Sequence, residues 1–214
     1  MSFETILFDF DGTVYDTVEG ITRSVRYALN QMGMDAELEE LRCFAGPPLL
    51  GMFMEKFGFD RDTADRATRL FRERYNPVGL YESRVFPGVR ELIERLRAAG
   101  KRVGIATSKP LRLAEELLER EGMRELFDAV SGSGDQGQNN SKAEVLAAAL
   151  SMLGAEKDSA VLVGDTKWDV FGAQELGVPC IGVAYGYAAP GELEAAGAAA
   201  VAQDLAELEK LLLP

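Results

Sequence analysis

The residue types that could do chemistry fall into four groups along the 214-residue chain. Asp9 and Asp11 stand two apart, ahead of Gly12-Thr13. Thr107-Ser108-Lys109 follow an apolar run. Lys142 opens a segment of helical pattern, and Asp165 and Asp169 stand four apart behind Gly164. Together they offer carboxylates, hydroxyls and ammonium groups, the parts that cleavage of a phosphate monoester demands. That reaction is among the slowest in water, and its catalysed acceleration reaches ~10²¹-fold. A carboxylate attacking a phosphate dianion meets another anion, and an ammonium group and an oxygen-ligated Mg²⁺ can cancel that repulsion. A carboxylate nucleophile divides the reaction into two easier steps. A second carboxyl group can protonate the leaving oxygen and then deprotonate the attacking water. The chain has no histidine, which excludes Ser-His and Cys-His nucleophile pairs, His-ligated zinc and histidine acid–base chemistry.

These groups need elements to bring them together. Thr5-Ile6-Leu7-Phe8 is a short apolar run that reads as a buried parallel strand ending at Asp9. Asp11-Gly12-Thr13 is a turn signal. From Val18 to about Asn76 the pattern is helical, with Ile21, Val25, Ala28, Leu29 and Met32 in the first helix and Gly33 closing it. Further helices are predicted over Ala36–Cys43, Leu49–Phe57 and Arg61–Tyr75. Pro87 opens another, to about Ala99. The rhythm then alternates. Strands are predicted over Arg102–Ala106, Phe127–Val130, Ala160–Val163 and Cys180–Val183. Helices are predicted over Pro110–Glu121, Lys142–Leu153, Trp168–Leu176, Pro190–Ala196 and Leu205–Leu213. The Ala/Glu-rich stretch Glu192–Ala200 reads as helix followed by a small strand. Ser131–Ser141 is rich in Gly, Ser, Asn and Gln and reads as an exposed, mobile loop.

Alternating strands and helices predict an α/β fold, with a Rossmann-like parallel sheet core flanked by helices. The strand-free helical stretch predicts a small all-α domain inserted after the first strand. The division expected is 1–15 and 84–214 for the α/β core, and 16–83 for the helical insert. Parallel sheets place ligands beyond the carboxyl ends of their strands, and each chemical group lies just there.

Composition narrows the partners. The net charge of −12 argues against nucleic acid or anionic membrane, which are bound by clustered Lys and Arg. Residues 1–5 lack a basic-then-apolar signal, and no apolar run reaches the roughly 18 residues of a membrane span. The expectation is a cytoplasmic protein, monomer or homodimer, acting on a small phosphate monoester. Cys43 and Cys180 lack metal-ligand spacing and read as reduced core thiols.

Asp9-Phe10-Asp11-Gly12-Thr13-Val14 closely resembles the first motif of the haloacid dehalogenase-like phosphatase superfamily. The other motifs occur in that family's order. Thr107, ending Val103-Gly104-Ile105-Ala106, matches the second. Lys142 matches the third, in an Asn140-Ser141-Lys142-Ala143-Glu144 context where many relatives have Gly-Lys-Pro. Gly164-Asp165-Thr166-Lys167-Trp168-Asp169 matches the fourth. The helical insert resembles the cap of the phosphoglycolate phosphatase and β-phosphoglucomutase branch. Gly46-Pro47-Pro48-Leu49 and Tyr185-Gly186-Tyr187 look like a phosphoglycolate phosphatase or 5′-nucleotidase-like subgroup.

The resemblance implies roles. Asp9 would be the nucleophile and Asp11 the general acid/base. Asp9, Asp165, Asp169 and the Asp11 backbone carbonyl would hold Mg²⁺. Thr107 and Ser108 would hold the phosphoryl group, and Lys142 would neutralise it together with Asp9. Gly12 would let the backbone approach closely, and Thr13 could hydrogen-bond nearby. Lys109 is a further candidate phosphate ligand, weighed against a reading as surface charge like Arg42. Trp168, Tyr15, Tyr185 and Tyr187 read as packing or loop residues. Asp11 sets the chain apart from haloacid dehalogenases, which lack an aspartate there. Length and the helical insert set it apart from receiver-type signalling domains. A phosphomutase, or a non-catalytic phospho-ligand-binding relative, is the alternative.

Overall fold

The apolar runs become the strands of one parallel sheet. In the computed structural model, which describes residues 3–134 and 141–213, the chain divides into two units, Met1–Tyr15 with Val85–Pro214, and Asp16–Arg84. In the first unit, β1 (Thr5–Phe8) is buried along its whole length, as expected of a strand covered on both faces. The chain next forms β2 (Tyr15–Asp16), passes through the helical unit, and returns as β3 (Arg84–Val85), which pairs with β2. It continues through α4 (Val89–Ala98), β4 (Arg102–Pro110), α5 (Leu111–Arg120), β5 (Ala129–Ser133), α6 (Lys142–Leu153), β6 (Ala160–Gly164), α7 (Lys167–Leu176), β7 (Cys180–Val183), α8 (Glu192–Ala196), β8 (Ala200–Ala202) and α9 (Leu205–Leu212), taking the helices of the second unit as α1 to α3.

The six-stranded sheet has the order β5-β4-β1-β6-β7-β8. The chain winds outward from β1 through β4 to β5, then crosses back to β6. That reversal makes the carboxyl end of β1, between β4 and β6, the topological switch point where such sheets bind ligands. Register aligns the three strand ends, since Phe8 pairs with Ile105 on one side and Val163 on the other. The layer of α6 and α7 packs Val145, Leu146, Ala149, Val170 and Ala173 against Leu7 and Leu162.

The second unit is helical: α1 (Val18–Gln31), α2 (Leu49–Phe57) and α3 (Arg61–Tyr75), with short 3-10 turns at Leu38–Phe44 and Gly79–Tyr81. Asp60 caps α3 by accepting the Thr63 N–H at 2.8 Å. Phe44, Phe53, Phe57 and Phe59 form an aromatic cluster. The guanidinium of Arg74 donates to both oxygens of Glu82, at 2.8 and 2.9 Å, and to Ser24.

Several local expectations are corrected. Ala36–Cys43 is no α-helix; a 3-10 helix without a side-chain cap occupies Leu38–Phe44, ahead of Gly46-Pro47-Pro48. Cys43 is exposed, so only Cys180 is a buried thiol. The helix placed at Pro87 starts at Val89, and the one placed at Pro190 starts at Glu192. The third strand in the sheet's chain order lies at Ala129–Ser133, because Gly104 pairs with Ala129. Ser131–Ser133 therefore belongs to β5, although its composition suggests a loop. Its small residues serve packing: a Cβ on Gly132 would lie 2.8 Å from Leu111 Cα and from the Lys109 carbonyl oxygen. The rest of the expected mobile loop, residues 135–140, lies outside the described residues. Finally, β4 runs past Ala106 to Pro110, with a register shift against β5 between those residues. No helix among the described residues is long and apolar enough to cross a membrane.

Candidate active site

The loop after β1 closes on itself. The Phe10 carbonyl accepts the N–H groups of Val14 and Tyr15, and the Gly12 N–H donates to the Tyr15 carbonyl at 2.7 Å. Phe10 turns inward and stacks on Tyr15 at 4.4 Å, and the Tyr15 hydroxyl donates to the Leu117 carbonyl. Asp9 and Asp11 flank that inward Phe10. The Asp9 N–H donates to the Val163 carbonyl at 2.8 Å, extending the β1–β6 ladder into the site.

Asp9, Asp165 and Asp169 are buried, and one carboxylate oxygen of each lies within 4.8 Å of the others. Each is held differently. Asp165 accepts the Thr13 hydroxyl at 3.0 Å and the Tyr187 N–H at 2.9 Å. Asp169 accepts the Thr166 N–H and hydroxyl at 3.0 and 2.8 Å, so it caps α7 as well as facing the cluster. The Lys142 ammonium lies 2.6 Å from Asp9 Oδ1 and 2.8 Å from Asp169 Oδ1, and donates to the Ala106 carbonyl at 3.1 Å. The two carboxylate oxygens it faces accept no well-directed hydrogen bond among the described residues, so the contact is an ion pair.

The charges act on one another in a medium that screens poorly. Burial pushes the Asp9 carboxyl up to about 6; Lys142 pulls it down and Asp169 pushes it up. Burial, then Asp169 and Asp9, raise Asp165 well above the usual aspartate range. Burial alone would lower the Lys142 ammonium, but Asp169 and Asp9 outweigh it and hold it above the usual lysine range.

The second lysine serves another carboxylate. Lys109 is buried, not a surface charge, and its ammonium lies 3.0 Å from Asp11 Oδ1 and 3.4 Å from Oδ2. Thr107 is also buried; it caps no helix but sits inside β4, where its hydroxyl accepts the Lys109 N–H at 3.1 Å. Ser108, half-buried, lies between them on the same strand. Arg42 is exposed and pairs with Glu39 in the other unit, as a surface charge would. Trp168, against Phe171 at the start of α7, is 42% exposed rather than packed in the core.

Two glycines explain how three carboxylates fit together. A Cβ on Gly12, whose φ is +84°, would fall 2.1 Å from Asp165 Oδ2. A Cβ on Gly186 would fall 2.2 Å from Asp165 Cβ and 2.6 Å from the Gly12 carbonyl oxygen. Sequence reasoning left Tyr185-Gly186-Tyr187 without a role. The structure puts Gly186 against Asp165, gives Asp165 the Tyr187 N–H, and has the Tyr185 hydroxyl donate to the Thr13 carbonyl. The available signal was a glycine just beyond the end of a parallel strand, where backbones approach ligands closely.

A buried three-carboxylate cluster, paired with a lysine at the switch point of a parallel sheet, defines a class as well as a site. The chain belongs to the haloacid dehalogenase-like hydrolase family, whose model matches residues 6–183. Among known proteins it is 41% identical over 213 residues to a 5′-nucleotidase of Pseudomonas aeruginosa, covering 99% of this chain and 96% of that one. It is 33% identical over 184 residues to the tyrosine-protein kinase PtkA of Mycobacterium tuberculosis, covering 86% of this chain and 63% of that longer one. A crystal structure of a predicted phosphatase from Clostridium acetobutylicum superposes with a TM-score of 0.96 at 37% identity, covering 100% of this chain and 99% of that one.

Proposed function

We propose that the chain hydrolyses small phosphate monoesters, phosphoglycolate-like or nucleoside monophosphate, with Mg²⁺ and through an aspartyl-phosphate on Asp9. The observation that carries this reading is the charge balance of the site. Asp9, Asp165 and Asp169 crowd three buried carboxyl groups within 4.8 Å of one another, the Lys142 ammonium faces two of them, and burial with that crowding raises Asp9 and Asp165 above the usual aspartate range. Buried ionised carboxylates are costly unless paired or bound to a metal. An all-oxygen donor set suits a hard divalent cation such as Mg²⁺. The carboxylates of Asp9, Asp165 and Asp169 would hold it with the Asp11 carbonyl. When bound, it supplies positive charge that offsets the approach of two anions.

The residues then divide the work. An Asp9 carboxylate oxygen attacks phosphorus. The bond to the leaving oxygen breaks, and that oxygen takes the proton of Asp11. Asp11, now a carboxylate, takes a proton from water as that water attacks the phosphoryl group on Asp9. Phosphate leaves, and Asp9 returns as a carboxylate. Thr107 and Ser108 donate to the phosphoryl oxygens, and Lys142 offsets charge on Asp9 and the phosphoryl group. A phosphomutase would return the phosphoryl group to a sugar instead of water.

The test is phosphate release from about thirty phosphate monoesters, with Mg²⁺ and with excess chelator. Release that requires Mg²⁺ is expected, with nucleoside monophosphates or phosphoglycolate ranking high. Equal release in chelator would overturn the metal assignment, and release from no compound would overturn hydrolysis.

Two predictions concern the metal alone. Mg²⁺ at a hundred times its Kd should stabilise the fold by about 2.7 kcal/mol, read as a rise in Tm. The Gly186→Ala variant forces the turn off Asp165. It should weaken Mg²⁺ binding by roughly 10- to 100-fold, the usual cost of disturbing groups that orient metal ligands. Calorimetric titration of the variant checks it, and unchanged affinity would mean that the turn only packs.

A further inference from the structure

Two lysines reach the site, and they serve different carboxylates. Lys142 faces Asp9 and Asp169. Lys109 spans both oxygens of Asp11 at 3.0 and 3.4 Å. Its side chain is 3% exposed. Its ammonium also lies 5.6 Å from the Phe10 ring centroid, on the ring that stacks against Tyr15. A cation over an aromatic face is held there electrostatically. Its backbone is fixed as well, by the Thr107 hydroxyl and by the close approach of Gly132 to its carbonyl. Both ends of the lysine are thus anchored, and the anchored ammonium meets the one site carboxylate that is not fully buried.

From this geometry we infer that Lys109 is the positioning residue for Asp11: it fixes the orientation of the acid/base carboxylate and does not hold the phosphoryl group. The inference rests on the acid/base role proposed for Asp11. The chemical reason is angular. An aspartate at the tip of a turn rotates about two side-chain bonds, and proton transfer requires its oxygen within hydrogen-bond reach of the leaving oxygen. An ammonium group spanning both carboxylate oxygens removes that freedom, at a position set by β4 rather than by the turn itself.

The experiment is a double-mutant cycle of Lys109→Met and Asp11→Asn, assayed with Mg²⁺ on an alkyl phosphate and on p-nitrophenyl phosphate. An alkoxide leaves poorly without a proton, whereas nitrophenolate leaves readily. Lys109→Met should lower kcat on the alkyl phosphate by roughly 10- to 100-fold, part of the ~10²–10⁴-fold that acid–base catalysis supplies. KM and inhibition by inorganic phosphate should hold. On p-nitrophenyl phosphate the first step should be spared, giving a burst of nitrophenolate ahead of slow turnover. In the Asp11→Asn background, Lys109→Met should cost almost nothing more. Lys109→Gln, which keeps a donor, should retain more kcat than Lys109→Met.

A large rise in KM and in the phosphate inhibition constant, with kcat kept, would make Lys109 a phosphate ligand and overturn the inference. So would an equal loss on both substrates that adds in full to Asp11→Asn, because that pattern marks a structural role. If Asp11→Asn itself is without effect, the acid/base assignment fails instead, and the two failures are told apart.

Discussion

Asp9→Asn should abolish turnover and at the same time stabilise the metal-free protein. An amide is no nucleophile, and removing a nucleophile from a concerted set costs roughly 10⁴-fold or more in kcat. The stability gain comes from the same burial. With its carboxyl pushed from 3.8 to about 6, ionised Asp9 opposes folding at neutral pH. At 1.36 kcal/mol per pKa unit, the opposition is about 3 kcal/mol. Asn, which keeps the shape and loses the charge, should recover about 1–3 kcal/mol of it. The sign on pH follows by linkage. Below the ordinary aspartate value both states are protonated, and this part of the stability is fully present. As pH rises the unfolded chain ionises first, and the stability is lost until the folded group ionises near 6. In chelator, the wild type should therefore lose stability between about pH 4 and pH 6 relative to Asp9→Asn, and the difference should then level off. Thermal melts of both proteins across that range check it. An Asp9→Asn protein that keeps most of its activity would falsify the nucleophile assignment, and one that melts well below wild type would show that the carboxylate is needed to hold the cluster.

Lys142→Met should do the opposite to stability. Its ammonium is buried among Asp9, Asp169 and the Ala106 carbonyl, and no other ammonium is found on that pair among the described residues. Removing one member of a buried pair leaves its partners ionised and unpaired, at a cost of roughly 3–5 kcal/mol. Turnover should fall by roughly 10²–10³-fold, the range for loss of one preorganised electrostatic contact. Space does not explain the effect, since Met follows the lysine stem past Gly172, where a Cβ would lie 2.6 Å from Lys142 Cβ. Adding Asp169→Asn to Lys142→Met removes one of the stranded charges and should restore part of the stability while leaving turnover low. Urea unfolding in chelator measures this. A Lys142→Met protein as stable as wild type would mean that water or protons neutralise the carboxylates unaided.

Much of the scaffold was legible because its signals are local. Leu49–Phe57, Arg61–Tyr75 and Lys142–Leu153 begin and end where their sequence predicts, the last between the capping box of Ser141 and Glu144 and Gly154 in the left-handed region. The buried run of β1 announced a strand covered on both faces, and Asp9 and Asp165 follow from where strands end, whereas Thr107 lies inside a β4 longer than its sequence predicts. Other features were out of reach. Ser131-Gly132-Ser133 has loop composition, yet pairing with β4 makes it strand. Cys43 lies on an exposed face of a 3-10 helix whose Leu41 and Phe44 are buried, where the sequence predicts an α-helix.

The sequence alone determined which groups reach the carboxyl edge of the sheet, since period, capping and turn residues set element boundaries over a few neighbouring positions. Tertiary structure decided which groups meet there. A register shift in β4 beyond Ala106 carries Lys109 inward to Asp11, while α6, beside Gly172 of α7, delivers Lys142 to Asp9 and Asp169. The turn at Gly186, far along the chain, closes on Asp165. Each of these pairings joins residues 21 to 133 positions apart, and their direction depends on the register of neighbouring strands and the depth of packed helices, which no local pattern encodes.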